Sequence, residues 1–242
     1  MLLTDITMGE FEKGLTITRT IILPFGSIEE HGPHLPLGTD TLQMYEIARL
    51  VTKKRPVFVG PPVFYGLCRS TKEHPGTISI SGQTLRALVL DMLFSYHRHG
   101  LKNFLLLSGH AGGTHMAFII DAAEEFLEKT KDTRVAVASI LDLLNMGAAD
   151  TLETPGDSHA GEFETSLMLY FFPELVKGTA PEEYPSFPKP FLVRNKRKFW
   201  PGGVWGNPDK ASTDKGKIFA EKLSDFIIKL IEKLENFEED KK

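Results

Sequence analysis

The sequence predicts an α/β fold, a three-layer α/β/α sandwich around a mostly parallel central sheet. The first observation behind this prediction is that short β-branched and aliphatic runs alternate with longer segments whose apolar residues recur at helical spacing. The second is the run 103–108 (NFLLLS), which is apolar without alternation, as is typical of a strand covered on both faces. Strands that alternate with helices favour parallel pairing, with helices packed on both sides of the sheet.

The predicted elements follow one another from the amino terminus. A strand over 18–25 is stopped by Gly26, and a short strand over 57–60 is stopped by Pro61. The remaining strands are predicted over 103–108 and 134–143, and the helices over 41–55, 83–99, 114–130, 162–172 and 213–237. Residues 173–208, dense in Pro, Gly, Trp and Lys, separate the last two helices.

The composition excludes several classes of protein. The chain has 242 residues, of which 41% are hydrophobic, so it suits one globular domain spanning 1–242 and not a disordered chain. Cys68 is the only cysteine, which rules out a disulfide scaffold. The net charge of −4 leaves no domain-wide basic field to attract nucleic acid or an anionic membrane.

The first residues of the chain contain acidic side chains and no apolar run flanked by basic ones, unlike a signal peptide. A helix needs about 18 uninterrupted apolar residues to span a bilayer, and every apolar stretch in this sequence is much shorter. We therefore expect a cytoplasmic protein that acts on a small molecule, without a nucleic-acid or membrane partner.

A loop dense in carboxylates and imidazoles follows the first predicted strand. It is GSIEEHGPHLPLGTD, residues 26–40, and the alternation of Glu29 and His31 points both side chains the same way in an extended segment. The intervening prolines and glycines can turn the chain and bring Asp40 near that pair. These side chains are ligands that Zn²⁺, Mn²⁺ or Fe²⁺ accept. The structural alternative is a solvated polar loop with Asp40 as a helix N-cap.

A glycine-rich loop follows the most apolar strand. His110 lies at its start, and the backbone N–H groups of Gly112 and Gly113 can bind an anion or the developing oxyanion of a substrate. His115 is expected on the surface of the helix that begins there.

Two glutamates lie at the start of the helix predicted over 162–172. Acidic residues at this place also complement the helix dipole. Glu164 is followed at three and four positions by apolar residues and so belongs to the inward stripe, whereas Glu162 lies on a more polar face. An inward carboxylate needs a partner, and a metal ion would supply one. We therefore favour Glu164 over Glu162 as a ligand, and the choice stays open.

In parallel sheets, the loops at the carboxyl ends of the strands meet around the ligand site. The candidate metal ligands in these loops are Glu29, His31, Asp40, His110 and Glu164, with His159 nearby. Five ligands suffice for two divalent metal ions that share one carboxylate and ionise a water between them. The residues thus predict a binuclear metallohydrolase.

Five segments resemble the creatininase (creatinine amidohydrolase) family of metal-dependent amidohydrolases. They are GSIEEHGPHLPLGTD, HPGTIS (74–79), SGHAGG (108–113), HAGEFETS (159–166) and GVWGNP with the AS and KG that follow it (203–216), in the family's order. The resemblance implies an α/β/α fold, two metal ions (Zn, Mn or Fe), hydrolysis of a cyclic or linear amide, and homo-oligomers, often hexamers.

The resemblance also implies roles for individual residues. Glu29, His31 and Asp40 resemble metal ligands, with Asp40 as the bridge, and His110 resembles the fourth ligand. His159 resembles the histidine that handles the proton of the departing nitrogen. Glu164 resembles the acidic partner in the site, so His159 and Glu164 are the predicted catalytic residues.

The chain departs from the family pattern at one place. In members that act on creatinine, a bulky aromatic residue and a metal-binding glutamate follow the histidine, whereas Ala111 and Gly112 stand here. No tryptophan lies between Gly112 and Glu164, so the aromatic lid associated with creatinine has no evident counterpart. Both differences weigh against creatinine as the substrate. Other branches of the family deformylate a pyrimidine nucleotide in flavin and deazaflavin biosynthesis, or trim a modified peptide.

The expected reaction is hydrolysis of a non-peptide C–N bond, in a cyclic amide or a formamide, with Gly112, Gly113 and His74 contacting the substrate. A structural turn is the alternative role of His74. The alternatives for the whole protein are a formamidopyrimidine nucleotide deformylase, a metal-dependent phosphoesterase and a non-catalytic, metal-stabilised oligomer. The basic and aromatic segment 194–200 suits a phosphate contact, a subunit contact or a solvated loop.

Overall fold

The computed structural model describes residues 1–238 and confirms the predicted fold class. Within these residues the sheet has four strands, β1 (Thr20–Phe25), β2 (Phe58–Val59), β3 (Asn103–Ser108) and β4 (Arg134–Ser139). All pairings are parallel, and the strand order is β2-β1-β3-β4. β1 and β3 pair from Thr20 opposite Asn103 to Phe25 opposite Ser108, so these two central strands end side by side.

Seven α-helices flank the sheet in the described part of the chain. They are α1 (Met8–Leu15), α2 (Thr39–Lys54), α3 (Gly82–Arg98), α4 (Gly113–Glu128), α5 (Ile140–Gly147), α6 (Glu162–Phe171) and α7 (Thr213–Glu235). The five predicted helices correspond to α2, α3, α4, α6 and α7, with ends that differ by at most two residues. None of the helices within residues 1–238 combines the length and the apolar character that a membrane crossing needs.

Both faces of the sheet are covered, because consecutive strand residues point to opposite sides. Ile22 packs with helices α2, α5, α6 and α7 on one side, whereas Ile21 and Leu23 pack with α3 and α4 on the other. Every residue of β1 and β3 is buried. This double coverage explains why the sequence of β3 is apolar without alternation.

Helix α1 was not predicted from the sequence. It begins with a capping box, in which Thr7 accepts a hydrogen bond from the backbone of Glu10 and the Glu10 side chain accepts one from the Thr7 backbone N–H at 2.7 Å. Its buried residue Gly14 lies against Phe58, where a Cβ atom would come within 2.6 Å of the ring. The helix has only eight residues, so its contact with the sheet edge supplies stability that an isolated helix of this length lacks.

The prediction of a strand over 134–143 was wrong in its second half. β4 ends at Ser139, whose side chain accepts the backbone N–H of Asp142 while the Asp142 carboxylate accepts the Ser139 N–H at 2.8 Å. This second capping box begins α5 directly at the strand end. The transition from strand to helix at Ser139 was not predicted, because apolar residues stand on both sides of it. A short apolar run fits a buried strand and a buried helix equally well.

Candidate metal centre and cavity

The loops after β1 and β3 meet at the carboxyl edge of the sheet. Gly109 follows β3 and donates its backbone N–H to the carbonyl of Phe25 at 2.9 Å. A Cβ atom at Gly109 would lie 1.9 Å from the carbonyl oxygen of Asp40, so only glycine lets these backbones approach. This close approach places the Asp40 carboxylate 3.3 Å from the His110 imidazole, Oδ2 to Nδ1.

Two groups of buried side chains share Asp40. In the first group, His110 Nδ1 lies 2.6 Å from Glu29 Oε2 and faces Asp40 Oδ2. In the second, His31 Nε2 lies 3.0 Å from Asp40 Oδ1 and 3.7 Å from Glu164 Oε2. The structure therefore brings together all five predicted ligands, which we call the ligand cluster: Glu29, His31, Asp40, His110 and Glu164.

Both imidazoles of the ligand cluster are oriented by a backbone carbonyl on their far side. His31 Nδ1 lies 3.0 Å from the carbonyl oxygen of Glu29, and His110 Nε2 lies 3.2 Å from that of Leu67. A carbonyl oxygen only accepts, so each of these nitrogens carries a hydrogen and donates. The opposite nitrogen of each ring is then the one that faces the carboxylates, which is the arrangement of a metal-binding histidine.

The carboxylates stabilise positive charge at the two rings. Burial lowers the pKa of His31, but the carboxylates of Asp40 and Glu164 outweigh it and raise this pKa to about 10. Burial also lowers the pKa of His110, and Glu29 and Asp40 raise it well above its usual value. In turn, burial raises the pKa of Glu29, but His110 outweighs burial and holds the pKa at about 2. The cluster is thus built to hold cationic charge in a buried place.

The donor set and its orientation fit divalent metal ions. Glu29, Asp40 and His110 would hold one ion, and His31, Asp40 and Glu164 the other, with one Asp40 oxygen directed to each group. Zn²⁺, Mn²⁺ and Fe²⁺ all bind carboxylate oxygens and imidazole nitrogens, so this donor set does not discriminate among the three metals.

Cys68 is a further candidate ligand that the sequence reasoning missed. Its thiol lies with Glu29 and His110 in a group whose ligand atoms are all within 4.8 Å of one another. Burial raises the pKa of the Cys68 thiol, and the nearby Glu29 and Asp40 carboxylates raise it further. A single cysteine has no spacing pattern, so only its three-dimensional neighbours could identify it.

The two glutamates of α6 have different partners. Glu164 accepts hydrogen bonds from Gln43 Nε2 at 3.1 Å and from the Ala160 backbone N–H at 2.6 Å, and faces His31. Glu162 points away from the cluster and forms an ion pair with Lys215 at 2.7 Å. It also accepts backbone N–H groups of the preceding loop. Glu164 therefore faces the candidate metal centre, whereas Glu162 anchors α7 to α6.

The start of α6 is capped by Asp157, which accepts the backbone N–H groups of Glu162 at 2.8 Å and Phe163 at 3.1 Å. Ala160, just before the helix, has a positive φ of 48°. This conformation is unusual for a residue with a side chain, and it directs the Ala160 N–H at Glu164.

His159 lies between the ligand cluster and an aromatic surface. Its ring is 4.2 Å from that of His31 and 5.1 Å from that of Trp200, centroid to centroid. Its Nε2 donates to the carbonyl of Glu30 at 2.9 Å, which leaves Nδ1 available. Burial and the neighbouring His31 lower the pKa of His159, but the carboxylates of Glu30 and Glu29 outweigh them and raise it.

A cavity of about 580 Å³ opens onto the ligand cluster. Gly112 and Gly113, predicted to contact substrate, line it, as do His159 and the two tryptophans Trp200 and Trp205. Trp205 belongs to the irregular segment after α6, and its backbone pairs with His159, N–H to carbonyl at 2.7 Å. The sequence has no tryptophan in 113–163, the range in which the aromatic lid was expected. The two tryptophans that line the cavity come from 200–205.

Two histidines lie elsewhere than expected. His74 is not among the side chains that line the cavity, and its Nε2 donates to the carbonyl of Trp200 at 2.6 Å. The prediction that His115 is on the helix surface was wrong, because it is fully buried beside the His110 ring. His115 Nδ1 accepts the backbone N–H of Leu67, and burial lowers its pKa to about 3.

Comparisons with known proteins agree with this arrangement. Residues 4–231 match the profile of the creatininase family, described as creatinine amidohydrolase. The chain is 28% identical over 238 residues to the creatinine amidohydrolase of Pseudomonas putida, with 90% of each protein covered. It is 30% identical over 229 residues to the mycofactocin precursor peptide peptidase of Mycobacterium ulcerans (strain Agy99), covering 87% of this chain and 84% of that protein. A solved structure described as "Creatininase Mn" superposes with a TM-score of 0.84 at 26% identity, over 96% of this chain and 98% of that one.

The fold and the site thus define an α/β/α hydrolase class with a buried donor set for divalent metal ions. The chain belongs to the creatininase family, as an amidohydrolase of that family.

Proposed function

We propose that the protein is a binuclear metal-dependent amidohydrolase that cleaves a non-peptide C–N bond in a cyclic amide or a formamide. The observation that carries this proposal is the position of Asp40 between the two groups of candidate ligands. One of its carboxylate oxygens faces His31 and the other faces His110. When bound, divalent metals supply Lewis acidity that polarises a carbonyl and makes water a nucleophile at neutral pH.

The residues around the ligand cluster have roles that follow from their contacts. Ser27 donates to Asp40 Oδ2 at 2.5 Å and fixes that carboxylate. His159 keeps the hydrogen on Nε2 for Glu30, so Nδ1 is the atom that can deliver a proton to the departing nitrogen. Gly112 and Gly113 line the cavity, and we assign to their backbone N–H groups the donation of hydrogen bonds to the substrate oxygen.

The residues that line the cavity limit the range of substrates that we propose. The Pseudomonas putida relative acts on creatinine, a cyclic amide, and the Mycobacterium ulcerans relative on a precursor peptide. Ala111 and Gly112 stand where creatinine-hydrolysing members have an aromatic residue and a glutamate, which favours another small amide here. Trp200 and Trp205 offer flat apolar surfaces on which a planar ring can pack.

A formamidopyrimidine nucleotide deformylase is the second candidate. The observation that favours it is the presence of Arg69 and Lys196 among the cavity residues, since a nucleotide carries a phosphate. A metal-dependent phosphoesterase would use the same ligand cluster, and a panel of substrates separates the two chemistries.

We also infer that the chain forms homo-oligomers in the cytoplasm. Phe191 is 75% exposed and Leu192 98% exposed, next to each other near the cavity, and a subunit contact would cover them. Light scattering coupled to size exclusion measures the molar mass, and a monomer would contradict this inference.

The test of the proposed function combines metal analysis with an assay panel. We expect about two equivalents of Zn, Mn or Fe per chain, removed by a chelator and restored by adding metal back. The panel contains creatinine, other cyclic amides, formamide-bearing pyrimidines and p-nitrophenyl phosphate. Turnover of an amide, lost with the metals and regained on reloading, would support the proposal. Faster hydrolysis of the phosphate monoester, or bound metal without turnover of any amide, would contradict it.

A further inference from the structure

Two cationic side chains line the cavity that opens onto the ligand cluster. Arg69 follows Cys68 in the loop after β2, and Lys196 belongs to the irregular segment after α6. Lys196 Nζ lies 3.4 Å from the hydroxyl oxygen of Ser70, the neighbour of Arg69, and 6.0 Å from the centre of the Phe187 ring. Both cations therefore stand at the same part of the cavity, although they are far apart in the sequence.

The loop that carries Arg69 is fixed to the ligand cluster at both of its ends. The carbonyl of Leu67 accepts the hydrogen bond from His110 Nε2, and the hydroxyl of Thr71 donates to Glu29. Arg69 and Ser70 lie between these two anchors. The loop thus holds Arg69 beside Glu29 and His110, and Lys196 reaches the same loop through its contact with Ser70.

Neither cation has an acidic partner within residues 1–238. The structure records no ion pair for Arg69 or Lys196, in contrast to Arg86, which pairs with Asp121 and Glu125, and Lys215, which pairs with Glu162. The acidic side chains that share the cavity with the two cations are Glu29, Asp40 and Glu164, all of them in the ligand cluster. Those carboxylates are directed at His31 and His110 and would be occupied by metal ions.

The net charge of the cavity side chains with two bound metal ions indicates the charge of the ligand that the cavity would bind. Two divalent ions would exceed the three carboxylates by one positive charge, and Arg69 and Lys196 add two more. A cavity with this excess attracts an anion, and a guanidinium, an ammonium and a hydroxyl are the donors that hold phosphate or carboxylate oxygens.

We propose that Arg69, Ser70 and Lys196 form an anion subsite that binds a phosphate or carboxylate group of the amide substrate. This inference rests on the proposed amidohydrolase function and deepens it, because it makes the substrate an amide that carries an anionic group away from the scissile bond. The subsite positions the substrate, while the ligand cluster and His159 act on its amide.

Paired substrates with and without the anionic group test the subsite. N-formylglycine is compared with N-formylglycinamide for the carboxylate, and O-phospho-N-formylethanolamine with N-formylethanolamine for the phosphate. In the metal-loaded wild type, we expect kcat/KM for one anionic compound to exceed that of its neutral partner by about 10–100-fold, mostly through KM. The pair that shows the preference identifies the anion, and added salt should weaken the preference.

The variant Arg69→Ala/Lys196→Ala should abolish this preference, so that kcat/KM becomes equal within about twofold for the two members of the pair. Arg197→Ala/Lys198→Ala is the matched control, because it removes the same charge from exposed positions that do not line the cavity, and it should retain the preference. Equal kcat/KM within both pairs in the wild type, or a preference that survives the Arg69/Lys196 substitution, would overturn the subsite and leave the proposed function intact.

A binding measurement keeps the subsite testable if none of these amides is turned over. Calorimetry follows inorganic phosphate and acetate binding to the metal-loaded protein. At least about tenfold weaker binding in Arg69→Ala/Lys196→Ala than in the matched control would support the subsite even if the proposed hydrolysis fails. Equal affinities in the two variants would show that the anion contacts only the metals and would overturn the subsite.

Discussion

The two sides of the cavity differ in how completely their polar groups are paired. The ligand cluster is nearly fully buried, and each of its side chains has a partner that orients it. On the other side, which we call the loop side, Arg69, Leu192, Lys196 and Trp205 come from irregular segments, and Leu192 is 98% exposed. The comparison suggests a division in which the ends of the strands fix the chemistry and the irregular segments select the substrate.

The difference has a physical origin in the backbone. The ligand cluster sits where β1 and β3 end side by side, and the close approach of Gly109 to Asp40 leaves no freedom in that loop. The loop side is joined to it by hydrogen bonds from separate irregular segments, such as those between the backbones of His159 and Trp205 and from Thr71 to Glu29. A change on the loop side should therefore alter binding, whereas a change in the ligand cluster should alter metal content.

The largest effect is expected for Asp40→Asn. The amide removes the shared negative charge, so we expect loss of both metals and a fall in activity of about 10³-fold or more. Metal analysis and an amide assay measure this. Ser27→Ala is the matched control, since it keeps the Asp40 carboxylate and removes only the hydrogen bonds of the Ser27 hydroxyl to Asp40 and Glu29, and it should cost about 10–100-fold. Full metal content in Asp40→Asn would refute the shared-ligand arrangement.

His159 lies at the boundary between the two sides, and His159→Ala tests which one it belongs to. We expect both metals to remain and turnover to fall by about 10²–10⁴-fold, the usual cost of losing a general acid or base. His97→Ala, an imidazole at the end of α3 that pairs with Asp132, should change neither quantity. Loss of metal along with activity would instead make His159 a ligand, because one of its ring nitrogens lies within 4.8 Å of ligand atoms of His31 and Glu164.

The paired variants Glu164→Gln and Glu162→Gln separate a metal ligand from a structural ion pair on one helix. Glu164→Gln should lower metal occupancy and reduce activity by about 10²-fold. Glu162→Gln should keep the metals but lower the free energy of unfolding by about 1–3 kcal/mol, because Lys215 loses a buried partner. Urea denaturation and metal analysis measure the two quantities, and the same outcome for both variants would contradict the assignment.

The last expected effect concerns neither metal content nor activity, and is the pH dependence of stability that comes from His115 beside His110. Its pKa is about 3 in the folded protein, below the ordinary value of 6.5, so its stabilisation is present above pH 6.5 and is lost as the pH falls toward 3. Between pH 7 and pH 4.5 the wild type should lose about 2–3 kcal/mol more than His115→Gln. Parallel urea curves at the two pH values test this, and identical pH profiles would show that His115 does not titrate as the structure indicates.

Much of the ligand cluster was predictable because its members stand in short, polar segments directly after apolar strands. Glu29, His31 and Asp40 lie within one such loop, and His110 begins another. Whether Glu162 or Glu164 faces the cluster was harder to predict, because both stand at the start of a helix whose residues 162–168 are all buried, so no exposed face separates them. The answer depends on Lys215 and Gln43, residues at distant positions in the chain.

His115 shows the opposite outcome. A histidine in the first turn of α4 has no local feature that distinguishes a buried position from an exposed one. It is buried because the loop at Leu67 packs over it and donates to its ring. That loop also brings Cys68 to Glu29 and His110 and carries Arg69 to the cavity.

The α/β/α fold class, the mostly parallel sheet and the family resemblance were predictable from the amino-acid sequence, because hydrophobic periodicity and short motifs are local properties of the chain. The end of β4, the glutamate that meets the imidazoles, and the cavity shared by tryptophans and cations from separate loops became visible only in the folded chain. Those features depend on contacts between residues far apart along the chain, and such contacts exist only after the sheet has fixed the positions of its loops.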